Sequence, residues 1–138
     1  GATTTWEYWS GERSRVHNCY NGIGTWFYQA VGGIRLDETK PGYRHFYIDP
    51  QIPTGLTWAK VTKESPYGTI AVDWKLQGNR LNLRLTIPLG TTATVSMPDN
   101  IVSCRKDGKK VNMKNKTFMV KAGKSDIVFD LDLDKQEY

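Results

Sequence analysis

The sequence is poor in the residues from which metal-built and disulfide-built folds are made. It has two cysteines, Cys19 and Cys104, and two histidines in 138 residues. There is no C-x-x-C and no nearby His pair, so no zinc spacing exists and no metal or cofactor is expected. Nothing in the spacing of the cysteines indicates a disulfide, and Cys19 reads as a small apolar packing group. No apolar run approaches the ~20 residues that cross a bilayer, which removes a membrane partner from consideration. The first residues carry no basic start, no apolar signal core and no Met. The expectation is a chain cut from something longer, with any targeting segment upstream and no compartment legible. There is also no internal repeat, low-complexity stretch or long charged tract, which argues against a disordered chain.

What is abundant is aromatic. Phe, Trp and Tyr make up 12% of the chain, with five Trp and seven Tyr, against 38% hydrophobic residues in all. That composition and length indicate one folded domain, able to bury roughly 68% of its extended surface. The formal charge of +5 raises a nucleic-acid partner, but the basic residues are spread along the chain and accompany no nucleic-acid motif, so none is expected. The one local cluster, Arg105, Lys106, Lys109 and Lys110, flanks Asp107-Gly108 and reads as a solvated hairpin tip.

Periodicity divides the chain near residue 34. Before it, Cys19, Tyr20, Ile23, Trp26, Phe27, Ala30, Val31 and Ile34 recur every three or four residues, which predicts a helix over residues 18–33. Asn18 or Ser14 supplies its N-cap and Gly32-Gly33 its stop. Gly22 and Gly24 each cost up to ~1 kcal/mol relative to Ala, so this helix needs tertiary support. After residue 43 the period becomes two. Ile70, Val72, Trp74 and Leu76 point one way, Gly78-Asn79 turns the chain, and Leu81, Leu83, Leu85 and Ile87 return, making the clearest hairpin. Further strands are expected at Ala93, Val95 and Met97, at residues 101–105 and 109–112, at residues 117–120, and through Ile127, Phe129, Leu131 and Leu133. Short strands that each bury one face predict an all-β antiparallel β-sandwich of jelly-roll type, preceded by one N-terminal α-helix.

Chemistry is sparse in the strands. Asp130, Asp132 and Asp134 alternate, but they lack the Gly and Glu of a calcium loop and read as the wet face opposite Leu131 and Leu133. Trp58, Trp74 and Tyr67 raise a sugar-stacking platform, although Trp74 lies on the apolar face of its strand and belongs to the core. The N-terminal strip is denser: Trp6, Glu7, Trp9, Arg15, His17 and Tyr20 fall close together. A carboxylate bracketed by aromatic rings is the make-up of a glycosidase subsite, where rings pack on the sugar and the acid moves a proton.

The strings Gly1-Ala-Thr-Thr-Thr-Trp-Glu7, Ser14-Arg-Val-His-Asn18 and Gly22-Ile-Gly-Thr-Trp-Phe-Tyr28 resemble the end of the catalytic domain of bacterial α-L-rhamnosidases. Pro41-Gly-Tyr43, Ile48-Asp-Pro50, Gly55-Leu-Thr-Trp-Ala59 and Ser65-Pro-Tyr-Gly68 resemble the jelly-roll domain that follows it, and Ala93-Thr-Val95 before Met97-Pro98 fits the same pattern. The resemblance implies a division into residues 1–34, the last strip of an (α/α)6 catalytic barrel, and residues 35–138, the C-terminal sandwich. It further implies an inverting hydrolysis of terminal α-L-rhamnosides, with a rhamnose-containing glycan as partner. Glu7 matches the general base, His17 a residue that hydrogen-bonds rhamnose hydroxyls, and Trp6 and Trp9 the pocket wall. The family's general acid has no counterpart here, so the isolated chain is expected to be inactive. The stretch from Tyr8 to Val16 is short and charged where family members can carry a longer insertion, which leaves the roles of Arg13 and Arg15 open.

Two other expectations stand beside this one. A non-catalytic carbohydrate-binding module would expose Trp58 and Tyr67 on one sheet face. An interaction domain with no sugar role would bind no saccharide and form a stable homodimer. The fragment case carries a consequence that the complete-domain case does not: the apolar stripe of the helix around residues 18–33 has lost the barrel that should cover it, and either self-association through residues 1–34 or disorder there is expected.

Overall fold

The computed structural model describes residues 4, 7–17, 22–132 and 134. Among these residues eight strands form one sheet: β1 (Ile34–Leu36), β2 (His45–Ile48), β3 (Trp58–Ser65), β4 (Gly68–Gln77), β5 (Arg80–Ser96), β6 (Ile101–Lys106), β7 (Lys109–Lys110) and β8 (Thr117–Leu131). The main path runs β1-β2-β5-β8-β6-β7, and β3 and β4 branch from β5. The β4–β5 hairpin is the one that alternation predicts. Gln77 pairs with Arg80 across Gly78-Asn79, and Gly78 takes a φ of +58° that an L side chain resists. The Asp107-Gly108 tip joins β6 to β7, with positive φ at both turn residues.

Two long strands make the sandwich. Residues 80–87 of β5 lie between β4 and the second half of β8, whereas residues 92–96 lie between β2 and the first half of β8. The register shifts between Ile87 and Thr92, where Pro88 and Gly90 (φ +77°) turn the strand, and Gly123 (φ +119°) faces that break on β8. Odd-numbered residues of β5 stay buried on both sides of the corner: Leu85 and Ile87 before it, Ala93 and Val95 after it. The same sheet face is therefore inside in both halves, and the sheet closes on itself as two layers around one core. The segments expected as separate strands near residues 81–87 and 93–97 are thus one strand. So are those near 117–120 and 127–131, while Leu133 lies outside the described residues.

The sheet is not wholly antiparallel. β2 pairs parallel to β5, with Phe46 beside Ala93 and Ile48 beside Val95. A parallel neighbour needs a long crossover, supplied here by residues 49–79. His45 stitches this pair on the outer side. Its Nδ1 lies 2.8 Å from the Thr92 hydroxyl and its Nε2 3.1 Å from that of Thr94, so its buried ring is satisfied on both nitrogens.

The helix is shorter than its periodicity predicts, and residues 18–21 lie outside the described residues. A single α-helical turn, α1 (Ile23–Trp26), passes into a π-helical turn over Phe27–Val31. Neither turn has a side-chain cap, and Gly22, Gly24 and the β-branched Thr25 give it little intrinsic support. Among the described residues of the predicted apolar stripe, only Val31 and Ile34 are buried; Ile23, Trp26 and Phe27 are exposed. The stop falls where expected: Gly33 has φ +67°, and a Cβ there would lie 2.2 Å from the Pro50 nitrogen. The turn is fastened from its C-terminal end. The fully buried Trp74 of β4 donates its Nε1–H to the Val31 carbonyl at 2.8 Å. Lys63 on β3 places its ammonium 5.3 Å from the Tyr28 ring and 5.2 Å from the Tyr43 ring, a cation–π contact with both.

Candidate functional site

The N-terminal strip folds back on itself. Thr4 donates its hydroxyl to the Arg15 carbonyl, and the Glu7 N–H donates to the Ser14 carbonyl at 2.9 Å. Between them the chain reverses through Tyr8–Gly11, closed by a 3.0 Å bond from the Gly11 N–H to the Tyr8 carbonyl, with Gly11 at φ +74°. That reversal carries His17 back beside Glu7.

Among the described residues the Glu7 carboxylate then has three neighbours. One oxygen, Oε1, is 3.4 Å from Arg13 Nη1. The other, Oε2, accepts the Ser14 N–H at 3.4 Å and lies 3.8 Å from His17 Nδ1. The carboxylate is about one-quarter exposed (25%) and the His17 ring 30% exposed, so the pair is partly sheltered, not sealed. Arg13 also sits 5.2 Å from the Tyr8 ring, which holds its guanidinium near the acid. This arrangement fixes the direction of a carboxylate that is open on one side to a water molecule.

Of the four residues that the sequence singles out, the structure brings Glu7 and His17 together. Trp9 is 92% exposed and walls nothing among the described residues. Trp6 lies outside the described residues. Arg13 and Ser14, which contact the acid, were not legible as site residues; Gly11 was the signal for the reversal that recruits them.

The rest of the molecule offers less reactive chemistry. Among the described residues no group of three or more His, Cys, Asp or Glu side chains is arranged to hold a metal ion. The Asp130 carboxyl is held below its ordinary pKa, first by the Ser103 hydroxyl and then by Arg80. Cys104 is buried and unpaired, and burial pushes its thiol up to about 11, which makes it inert. Among the described residues no helix is long and apolar enough to cross a membrane. Trp58 and Tyr67 are both exposed, but Trp58 opens β3 and Tyr67 lies in the turn beyond its far end, roughly 25 Å away at ~3.3 Å per residue, so they form no common platform. Trp58 instead borders an open groove of about 700 Å3 that Phe27, Tyr28, Val31, Leu56 and Val61 also line.

Comparison with known proteins gives a consistent picture. Residues 33–112 match the family described as bacterial alpha-L-rhamnosidase C-terminal domain, and residues 1–31 match the bacterial alpha-L-rhamnosidase 6 hairpin glycosidase domain. An alpha-L-rhamnosidase of Formosa agariphila is 34% identical over 128 residues, covering 83% of this chain and 14% of that protein. An alpha-L-rhamnosidase of an Alteromonas species is 30% identical over 109 residues, covering 71% of this chain and 12% of that one. Among solved structures, the Streptomyces avermitilis alpha-L-rhamnosidase complexed with L-rhamnose superposes with a TM-score of 0.73 at 26% identity, over 92% of this chain and 14% of that one. The alpha-L-rhamnosidase from Dictyoglumus thermophilum superposes with a TM-score of 0.77 over 94% of this chain and 16% of that one; at 20% identity it speaks for the fold alone. The chain thus spans about one-seventh of the length of the relatives it matches.

Proposed function

This chain belongs to the bacterial α-L-rhamnosidase family, and from that premise we propose that it supplies the catalytic base and the C-terminal sandwich of an inverting α-L-rhamnosidase. In this reading residues 1–34 belong to the catalytic part and residues 35–138 form a mainly structural sandwich. The observation that carries it is the convergence of the Glu7 carboxylate and the His17 ring, 3.8 Å apart, on a loop closed by its own backbone bonds.

The chemistry assigns one task to each group. Glu7 takes a proton from a water molecule as the water oxygen bonds to the anomeric carbon. The bond from that carbon to the glycosidic oxygen breaks on the opposite face, and a second carboxyl protonates the departing oxygen. Inverting sites hold the two carboxyls roughly 6.5–9.5 Å apart so that water fits between acid and sugar. Arg13 and the Ser14 N–H fix the direction of the Glu7 oxygens, His17 hydrogen-bonds hydroxyls of a rhamnose ring, and Trp6 and Trp9 complete the pocket against the remainder of a helical domain. A base alone lacks the leaving-group proton and the enclosed, oriented site, which together account for most of the rate.

The test has two arms. The isolated chain should not turn over an aryl α-L-rhamnoside, and turnover abolished by Glu7→Gln would overturn the need for a second carboxyl. In a polypeptide that joins these residues to a complete helical-hairpin domain, Glu7→Gln should lower kcat by about 10²–10⁴-fold, whereas His17→Ala should chiefly raise KM. Full activity in the Glu7→Gln protein would remove Glu7 from the mechanism. In isolation the exposed stripe of Ile23, Trp26 and Phe27 drives self-association through residues 1–34; a molar mass that stays monomeric from low to high concentration would refute this.

A further inference from the structure

The outer face of the sheet carries a second feature, unconnected with the Glu7 loop. Across β4, β5 and β8 it forms a shallow concavity of about 470 Å3, lined by Asp73, Lys75, Gln77, Asn82, Arg84 and Asp126. These residues alternate with the buried Val72, Trp74, Leu83, Leu85 and Ile127, so the pleat turns all of them away from the core. Register sets them in rows: Lys60 of β3 beside Asp73, Asp73 beside Arg84 and Arg84 beside Asp126, with Lys75 beside Asn82 and Asn82 beside Val128 in the next row. Trp58 extends that second row onto β3, where it pairs with Lys75. It stands on the outer side, because its neighbours Ala59 and Val61 pair with Trp74 and Val72, and it is 63% exposed.

Elsewhere on the same sheet face, polar side chains pair with one another. Arg80 Nε donates to Asp130 at 3.0 Å, and the Ser103 hydroxyl donates to the same carboxylate at 2.6 Å. Within the concavity the one side-chain pair among the described residues is the loose Arg84–Asp126 contact at 3.4 Å. Asp73, Lys75, Gln77 and Asn82 have no side-chain hydrogen-bond partner among the described residues, although Asp73 and Asn82 are partly buried. Donors and acceptors are thus interleaved and uncommitted on one concave surface.

We infer that this face is a non-catalytic site for a neutral oligosaccharide, laid across β3, β4, β5 and β8 with one ring stacked on Trp58. Each sugar hydroxyl both donates and accepts, and only a surface that offers both kinds of partner satisfies it. Asp73 and Asp126 offset two of the three bases on these strands, Lys60, Lys75 and Arg84, so the patch exerts only a weak pull on an anionic polymer. Trp58 supplies the flat apolar surface that the C–H side of a sugar ring needs. Four strands at ~4.8 Å spacing extend about 14 Å, room for a short saccharide chain. That the sugar is rhamnose rests on the proposed function above; that it is a neutral saccharide does not.

The experiment is an amide NMR titration of the whole chain with an α-linked L-rhamnose tetrasaccharide and, in parallel, with maltotetraose. Saturable shifts at residues 73–77, 82–84 and 126–128 and at the Trp58 indole N–H are expected. Affinity should fall about tenfold or more in Trp58→Ala and in Asp73→Ala/Asn82→Ala, with the melting temperature of each variant unchanged. Shifts on this face with maltotetraose alone would support the site and remove rhamnose as its ligand. Shifts confined to residues 7–17, or no saturation by either sugar at about 10 mM, would overturn the proposal. So would a stronger response on this face to a sulfated tetrasaccharide.

Discussion

Exchanging Trp74 for Phe should cost about 2–4 kcal/mol and loosen one joint more than the body it belongs to. The indole is fully buried, and its Nε1–H donates to the carbonyl of Val31, itself buried. Phe keeps an apolar ring on β4 but strips the donor, and an orphaned buried carbonyl costs about 1–3 kcal/mol. The lost pyrrole edge leaves a void of roughly 40 Å3, worth ~1 kcal/mol at ~24 cal/mol per Å3. For a chain of 138 residues, a melting entropy of ~2.1 cal/mol/K per residue converts each kcal/mol into ~3–4 °C, so Tm should fall by about 7–14 °C. Magnitude alone does not separate a loosened joint from a damaged core. Leu85→Ala, wholly within the sandwich, should cost a comparable 2–5 kcal/mol or so. The reporters are the amides of Gly32 and Gly33, which bond the Phe27 and Ala30 carbonyls at 2.8 and 3.1 Å. Hydrogen exchange at those two amides should accelerate in Trp74→Phe well beyond the acceleration in Leu85→Ala. Equal protection in the two variants, or a cost below about 1 kcal/mol, would refute the idea that β4 fastens the helical turn through this bond.

Gly33→Ala should be among the costliest glycine changes, above about 2 kcal/mol by urea denaturation, because its Cβ would meet the Asp49 and Pro50 backbone at a φ of +67°. Gly78→Ala, at φ +58° in open space, should cost only about 1–2 kcal/mol. Asp130 is held below its ordinary pKa by Ser103 and then Arg80. Its folded-state value lies below the unfolded one, so its contribution is present above ~pH 4 and is lost as pH falls through the lowered value. Urea midpoints should therefore decline from about pH 4 downward, and less steeply in Asp130→Asn; identical slopes would exclude the Ser103–Asp130–Arg80 cluster as a source of acid sensitivity. In a Cys19→Ser background, Cys104 should resist a thiol reagent near pH 8 until the protein unfolds, and rapid native-state labelling would contradict its burial.

Local pattern carried the hairpins and failed at the corners. Ile70 to Ile87 alternates without interruption around Gly78-Asn79, so both the strands and their turn were legible. Pro88, Gly90 and Gly123 read as strand ends because the same residues that break strands also bend them. Only the neighbours on either side show that β5 and β8 continue. The parallel partnership of β2 was invisible for a different reason, since periodicity reports which face is buried and says nothing about which strand lies alongside. The helix shows the opposite error. Its stripe of Ile23, Trp26 and Phe27 has the right period, yet the described residues provide nothing to bury it, so little of it forms. At the N-terminal strip, Glu7 and His17 stood out through family resemblance, and their meeting depends on a reversal at Tyr8–Gly11 that ten residues of separation do not reveal. The outer-face polar residues were legible as a wet surface; that four of them lack partners is a property of the pairing register.

Two strands serve both layers, so the molecule has no seam along which those layers can part. A load that lifts one layer is transmitted along β5 and β8 and must shear their mutual ladder in the other. Breathing motions open to a sandwich assembled from two independent sheets are denied to this one, which melts or stays shut as a unit. A helical turn moored to β4 by a single indole borrows that stiffness.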